Sequence, residues 1–102
     1  MIHHIVMWQL KEDIEETKQA SIRANAKVQL EGLKGIIPGL LSVKVITDLL
    51  DSSTHDMALV TTLESKEALE AYQSHPAHVE VANTYIRPFV CNRSCLDYED
   101  TE

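Results

Sequence analysis

From His3 to Leu10 the apolar residues fall with the period of a strand, Val6, Trp8 and Leu10 on one side and Ile5 and Met7 on the other. A strand with two apolar faces needs two covering layers, and the helices encoded further along supply only one. The pattern therefore asks for a partner subunit. Asp13 opens a segment that reads as helix to about Lys34, with Glu12, Asp13, Glu15 and Glu16 favouring its positive N-terminal end. Ile22, Ala26, Leu30 and Leu33 form its sheet-facing stripe, and a weaker stripe of Ile14, Thr17, Ala24 and Val28 lies nearly opposite. Gly35 can cap this helix, and Pro38-Gly39 turns the chain.

Leu40 to Thr47 reads as a second strand, Leu41, Val43 and Val45 alternating with Ser42, Lys44 and Ile46. A polar connection, Asp48 to Thr54, leads to a third strand over Asp56 to Glu64, so these two pair antiparallel. Ser65 is placed to cap a short helix through Tyr72. Pro76 fits the first position of another, running to about Ile86 and stopped by Pro88. Phe89 to Tyr98 is the last strand, and Glu99 to Glu102 reads as a frayed acidic end. The order β-α-β-β-α-β predicts an α+β, ferredoxin-like domain with a four-stranded antiparallel sheet, occupying residues 1–102 as a single unit.

Charge narrows the partners. Nine basic residues stand against sixteen acidic ones, net −7, with no Lys/Arg cluster, so neither nucleic acid nor an anionic membrane surface is an expected partner. The chain enters its first strand at once, with no basic, apolar leader pattern, and the expected location is cytoplasmic. Cys91 and Cys95, four apart on a strand, lie ~13 Å from each other, too far for a mutual disulfide. Asn92-Arg93-Ser94 matches a glycosylation pattern, which without a secretory leader reads as chance.

The candidate chemistry lies in Tyr72-Gln73-Ser74-His75-Pro76-Ala77-His78. His75 precedes proline, is biased to an extended backbone, and separates the two short helices. The break can aim the Tyr72 phenol and the His78 imidazole at one space. A helix N-terminus disfavours added positive charge on His78, leaving a neutral ring that can accept a proton beside a hydroxyl that can hold an oxygen. The plainer alternative is that His78 packs or caps locally and Tyr72 is core. His4 shares the face of Val6, Trp8 and Leu10, where a buried histidine commonly just satisfies one partner. His3 points to the other face. His75 and His78 need not face one direction, and no HExxH or CxxC pattern is present, so no metal site is expected. With only Gly32, Gly35 and Gly39, no phosphate-cradling loop exists either, and no cofactor is expected.

His4-Ile5-Val6-Met7, Ile36-Ile37-Pro38-Gly39, Glu64-Ser65, Tyr72, His75-Pro76-Ala77-His78 and Asp97-Tyr98 together resemble the stress-responsive α/β-barrel (Dabb) family over nearly the whole chain. The resemblance implies a homodimer in which two four-stranded sheets pack face to face as a dimeric α/β barrel, helices outside. The family includes plant stress proteins and olivetolic acid cyclase, a cofactor-free polyketide cyclase with a histidine base and an assisting tyrosine. The matching positions are His78 and Tyr72, with His4 matching a further pocket histidine. Trp8, Leu30 and Leu59 are the apolar candidates for the pocket wall, Leu30 standing where the cyclase has an aromatic residue. Three functions follow as expectations. One is a cyclase- or lyase-like enzyme acting on a small apolar or phenolic ligand. The second is a non-catalytic ligand-binding or structural stress protein. The third is a cofactor-free monooxygenase using Trp8 and His4, for which fold analogy is the sole support.

Overall fold

The computed structural model describes residues 1–100. Its elements run in the order β1 (Ile2–Leu10), α1 (Glu16–Glu31), β2 (Leu40–Ile46), β3 (Met57–Leu63), α2 (Lys66–Ser74), α3 (Pro76–Val81), a π-helical turn (Ala82–Ile86) and β4 (Val90–Glu99). The strands form one antiparallel sheet in the order β2-β3-β1-β4. This is the ferredoxin-like split unit expected from the element order.

All helices lie on one face of the sheet. Every even position of β1 is buried there, Ile2, His4, Val6, Trp8 and Leu10, opposite Leu63, Thr61, Leu59 and Met57 of β3. Ile22, Ala26, Leu30 and Leu33 cover them from α1 and its exit, and Ala68 and Tyr72 from α2. The other face, centred on Ile5, Met7, Ala58, Val60, Leu96 and Tyr98, carries no helix. Leu96 is 58% and Tyr98 47% exposed, an uncovered apolar surface on a small domain. His3 lies on this face, stacked on Tyr98 with ring centroids 4.6 Å apart.

Several boundaries differ from the sequence pattern, each for a local reason. Helix α1 begins at Glu16 rather than Asp13, because residues 11–14 turn so that Ile14 packs against the core. Ala24 and Val28, from the weaker stripe, are solvent-exposed, Val28 at 67%. In β2 a register shift between Leu40 and Ser42 expels Leu41, which is 42% exposed instead of sharing the buried face of Val45. Glu99 belongs to β4, and the Asp100 backbone N–H donates to the Met1 carbonyl at 2.8 Å, so the end is tied down to that point. Thr101 and Glu102, the rest of the expected frayed end, lie outside the described residues.

Two contacts fix the helices over the sheet. Glu31 accepts from Lys27 Nζ and from the Val45 backbone N–H, both at 2.9 Å, while Lys27 also donates to the Val45 carbonyl. At Val45 the outer edge of β2 is thereby engaged by α1, which hinders strand addition at that point. The Lys27 hydrogen bond, and then that from Val45, hold the Glu31 carboxyl below its ordinary value. At the other corner Gly39, φ +82°, receives Ala68 so closely that a Cβ on Gly39 would stand 2.7 Å from the Ala68 Cβ. Only glycine combines that backbone with that approach. The contact sets the height of α2, the helix that carries Tyr72.

Candidate functional site

Helix α2 starts on a Ser65 cap, whose hydroxyl accepts from the Ala68 N–H at 3.1 Å. It ends at His75, which takes an extended backbone before Pro76, and the His75 Nδ1 accepts from the Ala77 N–H at 3.1 Å to cap α3. His75 thus serves the helix break and is separated in role from His78. The break brings Tyr72, the last buried residue of α2, against His78 in the first turn of α3, ring centroids 4.4 Å apart. His4 meets Tyr72 edge-on from the sheet at 6.1 Å. Tyr72 is therefore the middle ring of three.

Beside this group lies a cavity of about 350 Å³ between the sheet and the second helical segment. Its floor is Val6, Trp8 and Leu59, with His4 at one side. His78, Ala82 and Ile86 form its roof, and Gln73, Arg87, Asn92 and Arg93 bring polar groups to it. The volume and the apolar floor suit a small organic molecule. Tyr72 and Leu30 do not line it: Tyr72 is fully buried behind His78, and Leu30, 1% exposed, is part of the core under α1. Leu30 was expected on the pocket wall, but the α1 stripe that carries it faces the core instead.

The environment sets the protonation states. Burial pushes the His78 imidazole below its ordinary value; the Gln73 backbone opposes this, and the positive fields of Arg87, His4 and Arg93 add to it. His78 is accordingly neutral at pH 7, as expected, although desolvation rather than the helix end is the main cause. Burial pushes the Tyr72 phenol well above its usual range, so it keeps its proton. Neither Tyr72 Oη nor His78 Nδ1 has a hydrogen-bond partner among the described residues, and both atoms are sealed from the surface. An unpartnered buried hydroxyl costs ~1–3 kcal/mol and needs a reason.

His4 Nδ1 pairs with the Asp97 carboxylate directly across the β1–β4 ladder. Cys95 Sγ lies 3.5 Å from Asp97 Oδ1 and 3.9 Å from His4 Nδ1. Burial, then the Asp97 charge, raises the Cys95 thiol. Among the described residues these three are the set whose ligand atoms lie close enough, within 4.8 Å of one another, to hold a metal ion. They are already satisfied as a hydrogen-bonded cluster. Both cysteines are free.

The sequence pattern missed the polar end of the cavity, for which Arg87, Asn92 and Arg93 depend on two local irregularities. In place of a continuing α-helix, the segment Ala82–Ile86 winds as a π-turn, closed by the Arg87 N–H to the Ala82 carbonyl at 2.8 Å. In β4 the ladder jumps from Met7↔Ser94 to Gln9↔Cys91, so Asn92 and Arg93 together stand opposite Trp8. Asn92 takes φ +50°, a left-handed conformation that asparagine tolerates better than most residues, and that was the one available signal.

Comparison with known proteins sets this geometry in context. The family described as Stress responsive A/B Barrel Domain matches residues 2–100. The chain is 28% identical over 100 residues to a stress-response A/B barrel domain-containing protein of Arabidopsis thaliana, covering 96% of this chain and 36% of that protein. It thus spans little more than a third of that relative. A dimeric protein of unknown function and ferredoxin-like fold from Bacteroides fragilis superposes with a TM-score of 0.90 at 23% identity, over 97% of this chain and 95% of that one. A hydroxynitrile lyase from Passiflora edulis superposes with a TM-score of 0.70 at 22% identity, over 95% and 90% of the two chains. No helix among the described residues is long and apolar enough to cross a membrane.

Proposed function

This chain belongs to the stress-responsive A/B barrel domain family, and from that premise we propose that it works as a homodimer with a cofactor-free proton-transfer site in each subunit. The helix-free faces of two sheets pack together, covering Ile5, Val60 and Leu96. Each cavity holds a small, mostly apolar carbonyl compound. His78 removes a proton from the carbon beside the carbonyl, and Tyr72, buried behind it, holds the imidazole in place from the side away from the cavity. The reaction class is that of a cyclase or lyase, and a solved relative of this fold is named a hydroxynitrile lyase.

One observation carries the reading: a histidine held neutral by burial lines a cavity of about 350 Å³ and backs onto an unpartnered buried phenol. A general base of this kind contributes ~10²–10⁴-fold, and the apolar floor supplies the water-poor surroundings in which it works. The test is a thermal-shift and turnover screen of small phenols and polyketide-like acids on the native protein and on His78→Ala. Stabilisation by a compound, lost in the variant together with a turnover drop of at least ~100-fold, is the expected result. Turnover that survives His78→Ala removes the base from the mechanism.

A second reading draws on the sealing of Tyr72 Oη and His78 Nδ1 from the surface. It is a dimer that binds its ligand without converting it. That reading expects ligand stabilisation dependent on His78 with no product formed at any pH.

A further inference from the structure

Sixteen acidic residues outnumber nine basic ones in this chain, yet among the described residues no aspartate or glutamate lines the cavity and two arginines do. A cleft of one sign in an acidic protein concentrates ligands of the opposite sign. We propose that the cavity takes a small amphipathic organic acid, its carboxylate held between Arg87 and Arg93 and its apolar body on Val6, Trp8, Leu59 and Ile86. The inference deepens the ligand-site reading above and rests on it.

The two arginines reach the cavity through the two departures from regular structure in this half of the molecule. Arg87 follows the π-turn and closes it with its own N–H. Its guanidinium is braced from within that turn, Nη1 donating to Asn83 Oδ1. Arg93 stands in the bulge opposite Trp8. A π-turn and a bulge both disturb backbone pairing, and both recur where a side chain must be re-aimed at a site. Among the described residues neither guanidinium forms an ion pair with a carboxylate. Two planar, weakly hydrated forks without an acidic partner, beside an apolar floor, match a carboxylate on a hydrophobic body. The positive field they set up also reaches His78, whose charged form it disfavours.

Calorimetric titration with matched pairs tests the assignment: phenylbutanoate against its amide, and hexanoate against its amide. In the native protein each acid should bind about tenfold more tightly than its amide, as two partly solvated charge-assisted contacts allow. The difference should shrink as salt is added. In the double variant Arg87→Gln, Arg93→Gln the preference should vanish while the amides bind as before, and its melting curve controls for folding. Equal binding of acid and amide by the native protein, or a preference that survives both substitutions, overturns the carboxylate subsite and leaves the cavity a ligand site. Absence of saturable binding by all four probes overturns the cavity reading and the subsite with it.

Discussion

Gly39→Ala isolates the contact that seats α2 on the sheet. Two costs can be separated. At φ +82° an alanine places its Cβ in the strained left-handed region, at ~1–2 kcal/mol. The new methyl also stands 2.7 Å from the Ala68 Cβ, about 1 Å inside an ordinary carbon–carbon contact, and relieving that overlap costs ~1–3 kcal/mol. Reduced freedom of the unfolded chain offsets only ~0.4–1 kcal/mol. The net loss is therefore ~2–4 kcal/mol, or on the order of 10–20 °C in Tm for a domain of this size. Urea denaturation at fixed protein concentration measures it, because a dimer's midpoint moves with concentration. Adding Ala68→Gly should recover most of the overlap cost, less the ~1 kcal/mol that glycine loses inside a helix, while the backbone cost remains. A loss below ~1 kcal/mol for Gly39→Ala, or no coupling between the two substitutions, refutes the account. Since Tyr72 lies one turn beyond Ala68, the same variant should also weaken ligand binding in the cavity.

Two further outcomes follow from the site and the open face. Because the His78 value is lowered on folding, the unfolded chain binds the proton more readily. Stability should fall as pH drops through about 6.5 and level off below the folded value. His78→Gln should remove that part of the slope, and parallel urea midpoints against pH for the two proteins would falsify the assignment; turnover, if His78 is the base, should rise with pH through the same lowered value. Ile5 pairs with Val60 on one side and Leu96 on the other at the centre of the helix-free face, so Ile5→Lys should yield a folded monomer, an unpaired charge at the contact costing ~3–5 kcal/mol. Light scattering that finds the native protein monomeric at micromolar concentration, or the variant dimeric, rejects the face-to-face assembly.

The parts of this molecule that were legible in the sequence are those where a local rule and the tertiary structure agree. The double apolar character of β1, the Ile22–Ala26–Leu30–Leu33 stripe, the Ser65 cap and the Pro76 break each follow from a short-range constraint, and each recurs in the fold. Proximity of Tyr72 and His78 follows from the same break. What the sequence withheld is longer in range. His4 and Asp97 are 93 positions apart, and only the antiparallel register makes them partners. Helical spacing puts Leu30 on the sheet-facing stripe while the family resemblance puts it on the pocket wall, and the rotation of α1 decides for the core.

The cavity's polar end is the sharpest case. Strand alternation and helical period both assume regular elements, and Arg87 and Arg93 sit where the elements are irregular. The bulge sets two residues of β4 against Trp8 alone, so residues on its far side change face relative to a regular strand. The π-turn inserts an extra residue into the helix and so rotates Arg87 relative to an α-helical continuation. A reading that extends the α-helix to Ile86 and runs β4 straight finds His78 but sees no reason for a charged ligand. With both irregularities in place, the His78 imidazole, the apolar floor and two arginines meet at one cavity. The two proposals converge on this geometry: a compound with an acidic group at one end and a proton to lose near the other would use all three.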